Sequence, residues 1–112
     1  MFFDPRARRV FIYRDAVDLR QAHNGLSNLV THVMERNLLG GDIFLFVSRD
    51  RKTAKALVWD GSGLAIFHKR MERARIMHFD GLEAQHEVSA HDFSLVIGGA
   101  RVTLTVTIKV AE

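Results

Sequence analysis

The sequence predicts an α+β fold: an antiparallel sheet built around a three-strand meander, packed by one long N-terminal helix and one short C-terminal helix. Three observations carry this reading. The middle of the chain holds three apolar runs of strand length, "DIFLFVS" (42–48), "AKALVWD" (54–60) and "GLAIFHK" (63–69), joined by short connections. The segment before them repeats its apolar residues at helical spacing. Near the end, Ser89 and Asp92 stand three apart ahead of a short apolar stretch, the pattern of a capped helix start.

Taken in order, "VFIY" (10–13) reads as a short strand. Asp15 is then placed to cap a helix and Asp18 to complement its dipole in the first turn. Leu19, Ala22, Leu26, Leu29, Val30, Val33 and Met34 recur on one helical face, which predicts a helix over about 16–36. Asn24-Gly25 is a turn signal elsewhere, but the period runs through it, at a cost of roughly 1 kcal/mol for the glycine. "LLGG" (38–41) ends the helix with a C-cap and a loop.

The connections "SRDRKT" (48–53) and "DGSG" (60–63) are too short for a crossover, so the three central runs form an antiparallel meander. In the second run Lys55, Leu57 and Trp59 share one face, and Ala56 and Val58 the other. Trp59 lies in an apolar run and reads as a core anchor in preference to a base-stacking platform. Phe44, Phe46, Leu57 and Phe67 complete the predicted scaffold. Residues 74–88 give a mixed signal: "ARIMHF" is strand-like and "DGLEAQHEV" a turn returning to a strand. A short helix follows over 89–97, closed by Gly98-Gly99. The tail "RVTLTVTIKV" (101–110) alternates apolar residues with threonine and lysine, which predicts a half-buried strand.

With 112 residues, 47% apolar and 26% charged, the chain has the length and composition of one globular domain, 1–112. It has no cysteine, so disulfides and thiolate metal sites are excluded. Arg6, Arg8 and Arg9 are followed only by the short run Val10 to Tyr13, so no signal peptide is expected. No apolar stretch reaches bilayer-spanning length. A soluble cytoplasmic protein without a membrane partner is the expectation.

Charge is unevenly spread. Residues 49–75 carry eight Lys or Arg against three Asp or Glu, whereas residues 80–112 carry two against five. In a three-strand meander the loop after the first strand and the end of the third lie at the same end of the sheet. Arg49, Arg51, Lys52 and Lys55 are therefore predicted to meet Lys69, Arg70, Arg73 and Arg75 in one patch, as phosphate contact requires. Arginine dominates the patch, which suits bidentate phosphate recognition.

Other chemistry is poorly supported by spacing. His23 and His32 fall on nearly opposite faces of the predicted helix, and His86 and His91 share no face with a carboxylate, so no metal site is expected. His68 and His78 flank the basic surface. A nuclease needs converging carboxylates to hold divalent cations, and Asp42, Asp60 and Asp80 are thinly spread. Gly61-x-Gly63 is a hairpin turn and not a phosphate loop, since no helix opens after it.

Two stretches, "DLRQAHNGL" (18–26) and "GGDIFLFVSRDRKTAKALVWDGSGLAIFHKRME" (40–72), resemble the TnpB accessory proteins of the insertion sequence 66 family of bacterial transposable elements. That family carries an Asp-Met-Arg-Lys helix ending in Gly-Leu, a Gly-x-Leu-Phe-x-Phe strand, an Arg-rich loop, and Trp-Asp-x-x-Gly-Leu-x-Leu-x-x-Lys-Arg-Leu-Glu. The block from Trp59 to Glu72 is the most specific part of the likeness. This chain departs from the pattern at Gln21, where the family has lysine, at His23, and at "RIMHFD" (75–80). The resemblance implies a small accessory protein of DNA transposition, acting beside a separate transposase, while the residues themselves read as non-catalytic and call for no cofactor. Its partners are expected to be DNA and the transposase of the same element, with Arg20 joining the eight basic residues above as a DNA contact. The rival reading is a protein-interaction module that docks on the transposase without touching DNA.

Overall fold

Strand formation follows the β-branched and aromatic runs. The computed structural model describes residues 4–20 and 22–104, with strands β1 (Val10–Tyr13), β2 (Ile43–Val47), β3 (Thr53–Trp59), β4 (Leu64–Arg70) and β5 (Gln85–Val88). They form one sheet in the order β4-β3-β2-β1-β5. Consecutive antiparallel pairing joins β2 to β3 and β3 to β4, with Phe44 opposite Leu57 and Leu57 opposite Ile66. At the β3–β4 turn, Asp60 Oδ1 accepts from the amides of Ser62 (2.8 Å) and Gly63 (3.0 Å), while Gly61 takes φ +105°.

The predicted antiparallel sheet is corrected to a mixed one. β1 lies parallel to β2, with Val10 opposite Ile43, and antiparallel to β5, with Val10 opposite Val88. A parallel neighbour requires the chain to cross back over a face of the sheet, and residues 14–42 do so. Alternation along each strand then builds two cores. Ile43, Leu45, Val47, Ala54, Ala56 and Val58 face one side, where helix α2 (Ala90–Ile97) lays Phe93, Val96 and Ile97 over them. Phe11, Phe44, Phe46 and Leu57 face the other, under Val17, Leu19, Leu26, Val30 and Met34.

The long N-terminal helix is the second correction. Helix α1 spans only His23–Asn28 and continues as a wider π turn over Leu29–Val33, making eleven residues in all. Asp15 caps nothing; its carboxylate pairs with Arg14 at 3.0 Å. Asp18 accepts from the Arg20 amide and side chain, which holds residues 18–20 in a turn before the helix begins. Val17 donates to the Val47 carbonyl at 3.0 Å, so Val17 and Leu19 reach the core from non-helical backbone. The wide turn keeps Leu26, Val30 and Met34, four apart, on one buried line and leaves Val33 55% exposed. Glu35 then takes φ +54° and ends the element short of "LLGG".

Helix α2 matches its sequence signal. Ser89 Oγ accepts from the Asp92 amide at 3.1 Å, and Gly99 takes φ +87° with no space for a Cβ, which would lie 2.8 Å from Ala74 Cβ. Residues 71–84 form no strand, so "ARIMHF" is irregular. Ile76 and Phe79 are nonetheless buried from it. The predicted tail strand begins with residues 101–104, which are not strand, and its remainder lies outside the described residues. Trp59, predicted as a core anchor, is half-buried at the end of β3, whereas Phe44, Phe46 and Leu57 are fully buried.

Candidate nucleic-acid interface

The loop between β2 and β3 organises the basic end of the sheet. Ser48 Oγ accepts from the Thr53 amide (3.1 Å) and donates to Asp50 Oδ1 (2.7 Å), which also accepts from the Lys52 amide (3.0 Å). Those two donors, the Ser48 hydroxyl first, hold the Asp50 carboxyl below the usual carboxylate range. The tight loop leaves Arg49 and Lys52 exposed and sends Arg51, at φ +62°, inward.

Arg51 is only 4% exposed. Its guanidinium donates to the carbonyls of Ile76 and Met77 and lies 4.7 Å from the Phe79 ring centre. Burial pushes it below the usual arginine range, opposed by the charge of Asp80. Arg51 therefore pins residues 76–79 to the sheet and presents no charge for a phosphate outside.

Strand alternation separates two more of the predicted contacts from the group. Lys55 points to the α1 face and donates to the Leu19 carbonyl at 2.6 Å. Lys69 points to the α2 face and donates to the Ile97 carbonyl at 2.8 Å, capping the C-terminal end of α2 with a cation. Lys69→Ala is accordingly expected to cost about 1 kcal/mol of stability through the lost cap. A denaturant melt beside Arg73→Ala, expected within about 0.5 kcal/mol of wild type, checks it.

The remaining basic residues do gather. Met71 donates to the Lys52 carbonyl (2.6 Å) and Ile76 to the Arg51 carbonyl (2.8 Å), so the chain after β4 is laced against the β2–β3 loop. Arg73 is exposed between those two anchors, and Arg75 reaches the Asp50 carbonyl at 3.3 Å. Arg70 is exposed opposite Thr53 at the end of β4. Arg49, Lys52, Arg70, Arg73 and Arg75 thus share one end of the sheet.

Two hollows flank the loop, and Arg49 borders both. The larger, an open cleft of about 730 Å³, lies between residues 16–20 and the ends of β3 and β4, with Arg20, His68 and Arg70 around it. Arg20 is held by Asp18, whose carboxylate takes Nη2 at 2.6 Å and Nε at 3.0 Å. That contact, with the Arg20 amide, lowers the Asp18 carboxyl to about 2. The smaller hollow, of about 330 Å³, is bordered by Arg75, His78 and Arg101. Arg101 escaped the sequence reading because it stands alone beyond α2, with no charge run to mark it. Among the described residues, no three His, Cys, Asp or Glu side chains come together as metal ligands. Among them, too, no helix is long and apolar enough to cross a membrane.

Comparison with known proteins points in one direction. The family model described as IS66 Orf2 like protein matches residues 8–106. Among curated proteins, the uncharacterized protein y4jC of Sinorhizobium fredii (strain NBRC 101917 / NGR234) is 29% identical over 94 residues, covering 84% of this chain and 80% of that protein. The uncharacterized protein y4hO of the same strain is 33% identical over 69 residues, covering 62% of this chain and 60% of that protein. No solved structure matches the chain with significance.

Proposed function

The chain belongs to the IS66 Orf2-like family, and we propose that it is a non-catalytic accessory protein of transposition that contacts DNA through the basic end of its sheet. The observation that carries this reading is the convergence of Arg49, Lys52, Arg70, Arg73 and Arg75, all exposed, from two segments laced together by backbone hydrogen bonds. Exposed guanidiniums on a fixed backbone suit a row of phosphates, because each can fork onto two oxygens. Arg51, Lys55 and Lys69 serve the scaffold that holds the row. The non-catalytic reading is supported by the local engagement of the acids. Asp18 is committed to Arg20, Asp50 to its own loop and Asp60 to the hairpin turn.

The transposase of the same element is a second proposed partner. Val33 and Leu39, 55% and 60% exposed, are apolar groups that such a protein contact would cover.

Fluorescence anisotropy with a labelled duplex tests the DNA contact. About three phosphate contacts predict a loss of roughly 40-fold in affinity between 50 and 200 mM salt. Arg49→Glu with Arg70→Glu is expected to weaken binding alike on unrelated sequences, without changing the melting transition. The same mixtures supplied with magnesium or manganese are expected to leave the DNA uncut. Binding that ignores both salt and the double substitution would overturn the proposal.

A further inference from the structure

The five exposed cations make a surface, but Arg20 stands apart from them across the larger cleft. Its setting differs from theirs. The cleft is lined by loops that follow the two parallel strands, residues 16–20 after β1 and 48–50 after β2. Sites outside the carboxyl ends of parallel strands are where open α/β sheets take their ligands. The loop after β1 is fixed there by two bonds to the sheet, Val17 amide to Val47 carbonyl (3.0 Å) and Lys55 Nζ to Leu19 carbonyl (2.6 Å). That wall of the cleft is therefore tied to the sheet.

Its chemistry is mixed, unlike that of the surface. Three guanidiniums, from Arg20, Arg49 and Arg70, are offset by two carboxylates, from Asp18 and Asp50, and Ala16, Val17 and Leu19 supply aliphatic lining. Arg49 and Arg70 belong to the exposed surface as well, so the phosphate they hold at the cleft is the one that joins the paired strand to the next nucleotide. The aliphatic lining and the volume suit a base. Arg20 is placed to hold that base. Asp18 takes the edge of its guanidinium through Nε and Nη2, yet the side chain remains 90% exposed, so the planar cation is oriented by the carboxylate with its face in water. Guanidinium planes are stacking surfaces for unpaired bases. The Asp18 carboxyl, lowered by that contact, is ionised at physiological pH.

We infer that the cleft seats one unpaired nucleotide of a DNA strand, its base stacked on Arg20 and its phosphate between Arg49 and Arg70. This rests on the DNA-contact reading and adds to it a preference for DNA with a single-stranded end over blunt duplex. His68, on the same face of β4 as Arg70, closes the cleft on the sheet side.

The test compares a blunt duplex with the same duplex carrying a short oligothymidine tail, by anisotropy, with the wild-type chain and two variants. The tailed DNA is expected to bind about tenfold tighter, the scale of one stacked base. The ratio of the two affinities should change little with salt, because Arg49 and Arg70 already face phosphate in the duplex complex and the added contact is the stack on Arg20. Arg20→Ala and Arg20→Lys are both expected to bring tailed DNA to the blunt level while leaving blunt binding within about twofold of wild type, since lysine keeps the charge but has no stacking plane. Equal affinity for tailed and blunt DNA would overturn the inference and leave the duplex contact standing. So would a full tail preference in Arg20→Lys. Loss of all DNA binding by the wild-type chain would instead overturn the contact itself.

Discussion

Arg51→Ala is expected to destabilise the protein by about 3 kcal/mol while leaving the DNA affinity of the folded fraction unchanged. The cost has two sources. The carbonyls of Ile76 and Met77 lose their donor, and a buried acceptor without a partner costs about 1–3 kcal/mol. The Phe79 ring loses the cation 4.7 Å from its centre. The left-handed strain at φ +62° is common to arginine and alanine and cancels between them. Two companions separate side chain from backbone. Arg51→Lys, which reaches one carbonyl at best, should fall midway. Arg51→Gly removes the backbone strain and should lie about 0.5 kcal/mol nearer wild type than the alanine variant. Urea melts monitored by circular dichroism give all three values. An Arg51→Ala variant that melts like wild type but loses DNA would return Arg51 to the phosphate-binding group.

Arg51 also shows where the sequence stops being informative. Charge runs announce that "SRDRK" and "HKRMERAR" are basic, and the hairpin connections bring them to one end of the sheet. What the run cannot say is which members face water, because that depends on register and turn geometry. In β4 the alternation sends Lys69 to the α2 face and Arg70 to the cleft, although they are neighbours in the chain. In the loop, one left-handed residue reverses Arg51. The cleft is assembled from three segments distant in the chain, residues 16–20, 48–50 and 68–70. Only the fold juxtaposes them.

The same logic explains the fold corrections. The apolar spacing of residues 19–34 is compatible with one continuous helix, and a single-sequence reading has no means of seeing the competing bonds. Asp18 spends its side chain on Arg20, and Val17 bonds to Val47 at the end of β2. These tertiary partners outweigh the helical period in residues 16–20. A parallel β1–β2 pair leaves no local mark either, since parallel neighbours are distant in sequence and any helix or loop can connect them. By contrast the hairpins, the Ser89 cap and the β3 alternation are set by residues a few positions apart, and these were readable.

Phe44→Ala should be more damaging than Trp59→Ala, although tryptophan is the larger residue. Phe44 is fully buried, stacks on Phe11 at 5.9 Å with an interplanar angle of 17°, and sits where β1, β2 and β3 meet under α1. Removing a buried ring leaves a cavity that a sheet cannot collapse, which costs about 3–5 kcal/mol. Phe44→Leu keeps most of the volume and should cost about 1 kcal/mol. Trp59 is half-buried at the last position of β3, and its carbonyl, not its ring, takes the Arg8 guanidinium at 3.0 Å. That bond survives truncation, so Trp59→Ala should cost about 1–2 kcal/mol, the part of its apolar surface that the fold covers. Melts of the three variants decide it. A Trp59→Ala loss equal to that of Phe44→Ala would mean that the indole is core after all, as its apolar run suggests. Intact stability with weakened DNA binding would make it a stacking surface at the end of β3 remote from the Arg20 cleft.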